Sequence, residues 1–187
     1  MSEILYIPNI ITAFRLVLTP FILYHMYFEN WQIAFFVGFV AVVSDFLDGT
    51  IARRLNMVSD FGRKFDPTVD KIVLLSIFFV IYQKKLAPDW FSLMVIVKDV
   101  SIPVVLLIGK MRGVKLNFSP TKMGKAAVAL QFLYVILLVS EKALDIKTYY
   151  AYLMFPMVVF CFLSLASYVV LIYKLVSRAK VEDKIDI

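Results

Sequence analysis

Three stretches of this chain, 31–43, 72–82 and 126–140, run without a single charged residue. A helix that crosses a bilayer needs about 20 mostly apolar residues. Of the 187 residues 61% are hydrophobic, and the mean hydropathy is +0.84. Soluble domains stay nearer half apolar, and the core of a soluble fold this size has no room for so much apolar surface. The composition therefore excludes a soluble globular enzyme. It predicts an all-α integral membrane protein, because a helix satisfies its backbone groups without water.

Hydropathy and punctuation predict six transmembrane helices, roughly 10–28, 31–54, 66–83, 88–109, 122–140 and 149–176. The connections are short, with no repeat or low-complexity segment, so residues 1–187 read as a single membrane domain. Pro20 and Pro103 fall inside spans and are expected to kink them, which membrane helices tolerate when neighbours re-satisfy the freed backbone groups. The first apolar stretch lacks a basic leader and a small-residue cleavage site, so it reads as a retained span. Cys161 is alone in an apolar run, and no disulfide is expected.

The net charge of +6 raises nucleic acid as a partner. In a membrane protein the plainer source is a basic cytoplasmic face, and no nucleic acid is expected. Arg53, Arg54, Arg63, Lys64, Lys110, Arg112, Lys115, Lys122, Lys125, Lys174, Arg178, Lys180 and Lys184 all fall on one side of the predicted topology. Only Lys84, Lys85, Lys142 and Lys147 fall on the other. The positive-inside rule then places both termini in the cytoplasm.

Charges within spans are costly, about 2.5–3.5 kcal/mol for an Asp or Arg at a helix centre on insertion scales. The second and third spans nevertheless carry Asp45, Asp48, Asp66 and Asp70. At about 100° per residue, Asp48, Gly49, Ala52 and Arg53 all lie within about 80° of Asp45. Asp66 and Asp70, at i and i+4, share a face of the third span. The two spans are joined by a short loop, so the acidic faces are expected to meet near the cytoplasmic surface. Four carboxylates there stay ionised only if cations neutralise them. Oxygen ligands suit Mg²⁺, Mn²⁺ or Ca²⁺ rather than zinc. Two such metals would clamp a diphosphate. Gly49, Ala52 and Gly62 leave room for a ligand, and Arg53 offers a planar fork for phosphate. The structural alternative is helix–helix adhesion, which explains single membrane aspartates better than four at fixed spacing beside Gly and Arg.

The pattern Asp45-x2-Asp48-Gly49-x2-Ala52-Arg53-x8-Gly62-x3-Asp66-x3-Asp70 resembles the signature of the CDP-alcohol phosphotransferases. All eight signature positions are present at the family's gaps, and the six-span layout extends the likeness over nearly the whole chain. The resemblance implies that a CDP-linked lipid is cleaved, CMP is released, and the lipid phosphate passes to an acceptor alcohol. It implies Mg²⁺ or Mn²⁺, two per site, on Asp45, Asp48, Asp66 and Asp70. Asp70 would also take the acceptor proton as general base. Asp48, Gly49, Ala52, Arg53 and Gly62 would form the CDP pocket. A homodimer in the plasma (or inner) membrane, with its site facing the cytoplasm, is expected on the same ground.

The first span opens Pro8-Asn9-x2-Thr12-x2-Arg15, similar to phosphatidylglycerophosphate synthases and eukaryotic-type cardiolipin synthases. By that likeness Asn9 and Thr12 reach the nucleotide and Arg15 the acceptor. The alternative is a helix cap at Asn9 and an interfacial Arg15. Lys98, Lys122 and Lys125 are the expected acceptor ligands, with headgroup contact as the plain alternative for the last two. Asp99 stands where glycerophosphate-using enzymes often have Glu, and Gly124-Lys125 departs from the usual entry to the fifth span, which is followed by Gln131. Glycerol 3-phosphate is the first expectation for the acceptor, and phosphatidylglycerol, as in cardiolipin synthase, is the second. Remoter readings are a membrane prenyltransferase, whose acidic motifs lie on well-separated spans, and a divalent-cation transporter, which needs acidic residues across the bilayer. Here both motifs fall within 45–70, and the interiors of the other spans add only Asp99.

Overall fold

Long runs of Phe, Val, Leu and Ile leave the backbone one economical way to pair its polar groups, the α-helix. The computed structural model describes residues 7–54, 60–111 and 121–185, with side chains at 15–44, 69–105, 121 and 123–170. Among the described residues there are six α-helices and no strand. They are α1 Ile7–Tyr27, α2 Trp31–Arg54, α3 Asp60–Gln83, α4 Asp89–Met111, α5 Lys122–Leu144 and α6 Met154–Ile185, the last preceded by one 3-10 turn at Tyr150–Leu153. Met123–Leu144 and Tyr150–Val170 are each long and apolar enough to cross a membrane, and Trp31–Ser44 is a shorter apolar helix.

Most helix ends fall within about four residues of the expected spans, and two helices outrun them further. α3 begins at Asp60 rather than 66, and α6 runs on to Ile185 rather than 176. Hydropathy reports only the apolar part of a helix, whereas the backbone pattern continues through polar residues such as 60–65 and 177–185.

The helices fall into two compact units. The first comprises Met1–Leu86 with Val135–Thr148, and the second Ala87–Tyr134 with Tyr149–Ile187, so α5 contributes to both. In the first unit α1 packs against both α2 and α3, with Met26, Ala34, Leu74, Phe78 and Ile81 buried. The turn after α1 closes through Phe28 N–H donating to Tyr24 O and Asn30 N–H donating to His25 O. Glu29 adopts a left-handed φ of 61° there. Its carboxylate meets Lys84 Nζ at 2.9 Å, and Lys84 also lies 5.1 Å from the Tyr27 ring centre. At the end of α5, Thr148 donates from both N and Oγ1 to Glu141 Oε2.

In the second unit α4 packs against α6. Tyr134 is fully buried, with its ring centre 5.3 Å from that of Phe91 and 5.4 Å from that of Tyr150.

Candidate active site

The four aspartates occupy the ends of α2 and α3 that flank the 55–59 connection. Asp45 and Asp48 lie in the last ten residues of α2, and Asp66 and Asp70 in the first half of α3. Both helical registers are therefore as the spacing requires. The side chains of Asp45, Asp48 and Asp66 lie outside the described residues, as do those of Asn9, Thr12, Gly49, Ala52, Arg53, Gly62 and Lys122.

Asp70 is the described member of the cluster. Its neighbours Val69 and Val73 on α3 are buried. The Asp70 side chain keeps 31% of its exposure, and Arg15 Nη1 of α1 donates to its Oδ1. Arg15 is more deeply set, at 12% exposure. Thr19, one turn on and buried, donates from Oγ1 to Arg15 O at 2.8 Å. The guanidinium from α1 thus brings positive charge to a carboxylate that is partly withdrawn from water. The position suits a cation, and the donor set of Asp45, Asp48, Asp66 and Asp70 fits a hard divalent ion. Among the described residues no three His, Cys, Asp or Glu come together as a metal group; three of the four aspartates lie outside that set.

The second unit carries a buried polar network. Lys98 Nζ lies 2.8 Å from Asp99 Oδ1, with side chains 2% and 5% exposed. Gln131 Nε2 of α5 donates to Asp99 Oδ2 at 2.8 Å. Asp99 thus has both oxygens engaged, one by charge and one by an amide. Gln131 Oε1 and Ser164 Oγ, both fully buried, have no hydrogen-bond partner among the described residues. Lys125 is exposed at the start of α5.

The start of α5 is tied to α6. Gly124 N–H donates to Thr121 Oγ1 at 3.1 Å, an N-terminal cap. Thr121 Oγ1 also lies 3.0 Å from Ser167 Oγ. A Cβ at Gly124 would stand 2.7 Å from Tyr168 Oη and 3.2 Å from Thr121 Oγ1. The glycine that breaks the expected motif is therefore the one that lets Tyr168 approach α5.

Sequence reasoning missed two pairings. Arg15 and Asp70 are 55 residues apart, and neither helix by itself indicates which residue faces it. The Asp99–Gln131 bond had a signal, a buried amide one helix away from a buried acid, but spacing alone does not give a partner. A cavity of about 300 Å³ lies at the other end of α2, lined by Glu29, Asn30, Trp31, Gln32, Ile33 and Lys142. It is well over ten residues along α2 from Asp45 and has no part in the aspartate chemistry.

The family model described as CDP-alcohol phosphatidyltransferase matches residues 5–176. A Streptomyces coelicolor protein named cardiolipin synthase (CMP-forming) is 31% identical over 152 residues, covering 75% of this chain and 68% of that protein. An Aquifex aeolicus protein named CDP-diacylglycerol–glycerol-3-phosphate 3-phosphatidyltransferase is 33% identical over 118 residues, covering 61% of this chain and 63% of that protein. A Bacillus subtilis protein of the same name is 28% identical over 117 residues, covering 54% of this chain and 61% of that protein. The chain thus spans roughly two thirds of the length of the relatives it matches.

Proposed function

The chain belongs to the CDP-alcohol phosphatidyltransferase family, and on that premise we propose that it transfers the phosphatidyl group of CDP-diacylglycerol to an acceptor alcohol, releasing CMP. The observation that carries this reading is the unbroken acidic signature from Asp45 to Asp70 within the matched residues, with Asp70 half-buried on α3. Asp45, Asp48, Asp66 and Asp70 hold Mg²⁺ or Mn²⁺, two per site. Bound there, the metal supplies neutralisation of the diphosphate, which makes CMP a better leaving group.

The rest falls to the chain's own groups. Asp70 accepts the proton of the acceptor hydroxyl, a role that typically contributes 10²–10⁴-fold. Arg53 presents its fork to the diphosphate, Gly49, Ala52 and Gly62 let the nucleotide approach the backbone, and Asn9 and Thr12 orient the cytidine end. Lys98, Lys122 and Lys125 take the acceptor. The six helices span the plasma or inner membrane with both termini cytoplasmic and the aspartates at that face. This fits one greasy substrate and one soluble product. The working form is a homodimer.

Glycerol 3-phosphate is the first acceptor, as in the Aquifex and Bacillus relatives' names. Phosphatidylglycerol is a second reading, favoured by two observations. The cardiolipin synthase relative covers the larger share of the chain. Lys98 is also already neutralised by Asp99, leaving less charge for a small phosphorylated acceptor. The experiment is a CMP-release assay on purified protein with Mg²⁺ or Mn²⁺, CDP-diacylglycerol and a panel of acceptors. Acceptor-dependent CMP release with one phospholipid product supports the reading and names the acceptor. Absence of acceptor-dependent release under every condition overturns it.

A further inference from the structure

The contact between Arg15 and Asp70 brings a fixed positive charge to a carboxylate that the proposed chemistry needs for metal and for proton transfer. We propose that Arg15 is an exchangeable counter-ion: it holds Asp70 while the site is metal-free, and it turns to the diphosphate of the nucleotide lipid once metal is bound. This rests on the metal-dependent reading above and adds a residue role to it.

Charge balance carries the inference. Four ionised aspartates bring four negative charges, and a metal-free site must find cations for them within the protein. Arg15 is well placed for this. Its helix packs against both helices that carry the aspartates, its side chain is nearly buried, and a guanidinium does not lose its proton in a protein. Two divalent ions would balance the same four carboxylates completely. Arg15 then becomes a surplus buried cation beside other cations, which is unfavourable. The diphosphate of a CDP-lipid brings two negative charges, and a guanidinium fork matches phosphate oxygens bidentately. Arg15 therefore changes partner as the site fills. The unequal exposure of the pair suits this, since Asp70 keeps an accessible side while Arg15 approaches from within.

The opposite role is equally definite. A fixed neighbour that merely orients Asp70 for metal would strengthen metal binding, as outer-shell partners of ligands do. The two roles predict opposite signs. Mn²⁺ binding to the purified protein in detergent is followed by loss of the free-ion EPR signal, without and with CDP. If Arg15 is an exchangeable counter-ion, Arg15→Gln binds Mn²⁺ about tenfold tighter than wild type without CDP, and the gain disappears when CDP is present. Arg15→Lys keeps the charge and stays near wild type. Unchanged or weaker Mn²⁺ binding in Arg15→Gln overturns the inference and leaves the metal site standing. A wild-type protein that binds no Mn²⁺ overturns both this inference and the metal-dependent reading.

A second measurement needs no variant. Phenylglyoxal labelling mapped by mass spectrometry reads the reactivity of Arg15 in the wild-type protein. Reactivity that rises with Mn²⁺ and falls again with Mn²⁺ plus CDP supports the exchange. Equal protection in all three states overturns it.

Discussion

Asp70 is the residue on which the proposed reaction turns, and its replacement separates binding from chemistry. Asp70→Asn keeps the shape and removes the proton acceptor. CMP release should fall by about 10²–10⁴-fold, while CDP-lipid binding by the purified protein stays largely intact. Near-normal turnover would remove Asp70 as the base. Gly124 tests packing in the same way. A methyl group there must displace Tyr168 Oη from 2.7 Å, and Tyr168 is buried and cannot swing freely. Gly124→Ala should lower stability by about 1–3 kcal/mol, the usual range for overpacking. Adding Tyr168→Phe removes the clashing oxygen and should restore part of the loss in thermal unfolding. The glycine was visible in the sequence only as a departure from a motif, because nothing local shows that a tyrosine 44 residues later (168 − 124) needs the space.

Between elements, the tie from α4 to α5 runs through Asp99, which is held by Lys98 and Gln131. Removing one partner of a buried pair leaves the other charge uncompensated, at a cost of about 3–5 kcal/mol. Asp99→Asn should therefore lower the unfolding midpoint more than the double change Lys98→Met with Asp99→Asn, which leaves no stranded charge. The same midpoint for both variants would show that Lys98 finds another partner. The turn from α1 to α2 is different in kind, because the Glu29 carboxylate of its Glu29–Lys84 pair is exposed to solvent. The hydrogen bond from Lys84, then its charge, holds the Glu29 carboxyl below its ordinary value of 4.5. A lowered folded value means the pair stabilises above pH 4.5 and loses that contribution as pH falls through the lower folded value. Wild type should exceed Glu29→Gln in midpoint at neutral pH by a small margin. That margin should close below pH 4.5, and a margin that widened on acidification would contradict the assignment.

For the whole molecule, the acidic signature predicts a strict metal requirement. A chelator should stop acceptor-dependent CMP release, and Mg²⁺ or Mn²⁺ should restore it. Activity that survives full chelation would count against the aspartates as metal ligands. All six helices were legible beforehand because an apolar run of span length has few alternatives to a helix. α2 keeps its expected bounds of 31–54, whereas α3 and α6 extend through polar turns that hydropathy does not register. The helical placement of the four aspartates was legible for the same local reason: positions three and four residues apart fall on one face of a helix.

Sequence alone therefore determined the helical class, the place of the four aspartates on two helices and the family, since each rests on composition or on spacing within one segment. Tertiary structure decided which groups meet: Arg15 with Asp70, Gln131 with Asp99, and Tyr168 over Gly124. Each of these joins residues from separate helices, and the rotation of one helix against its neighbour is set by packing over its whole length. No local pattern carries that information, so the residue that answers Asp70 became visible only once α1 was laid against α3.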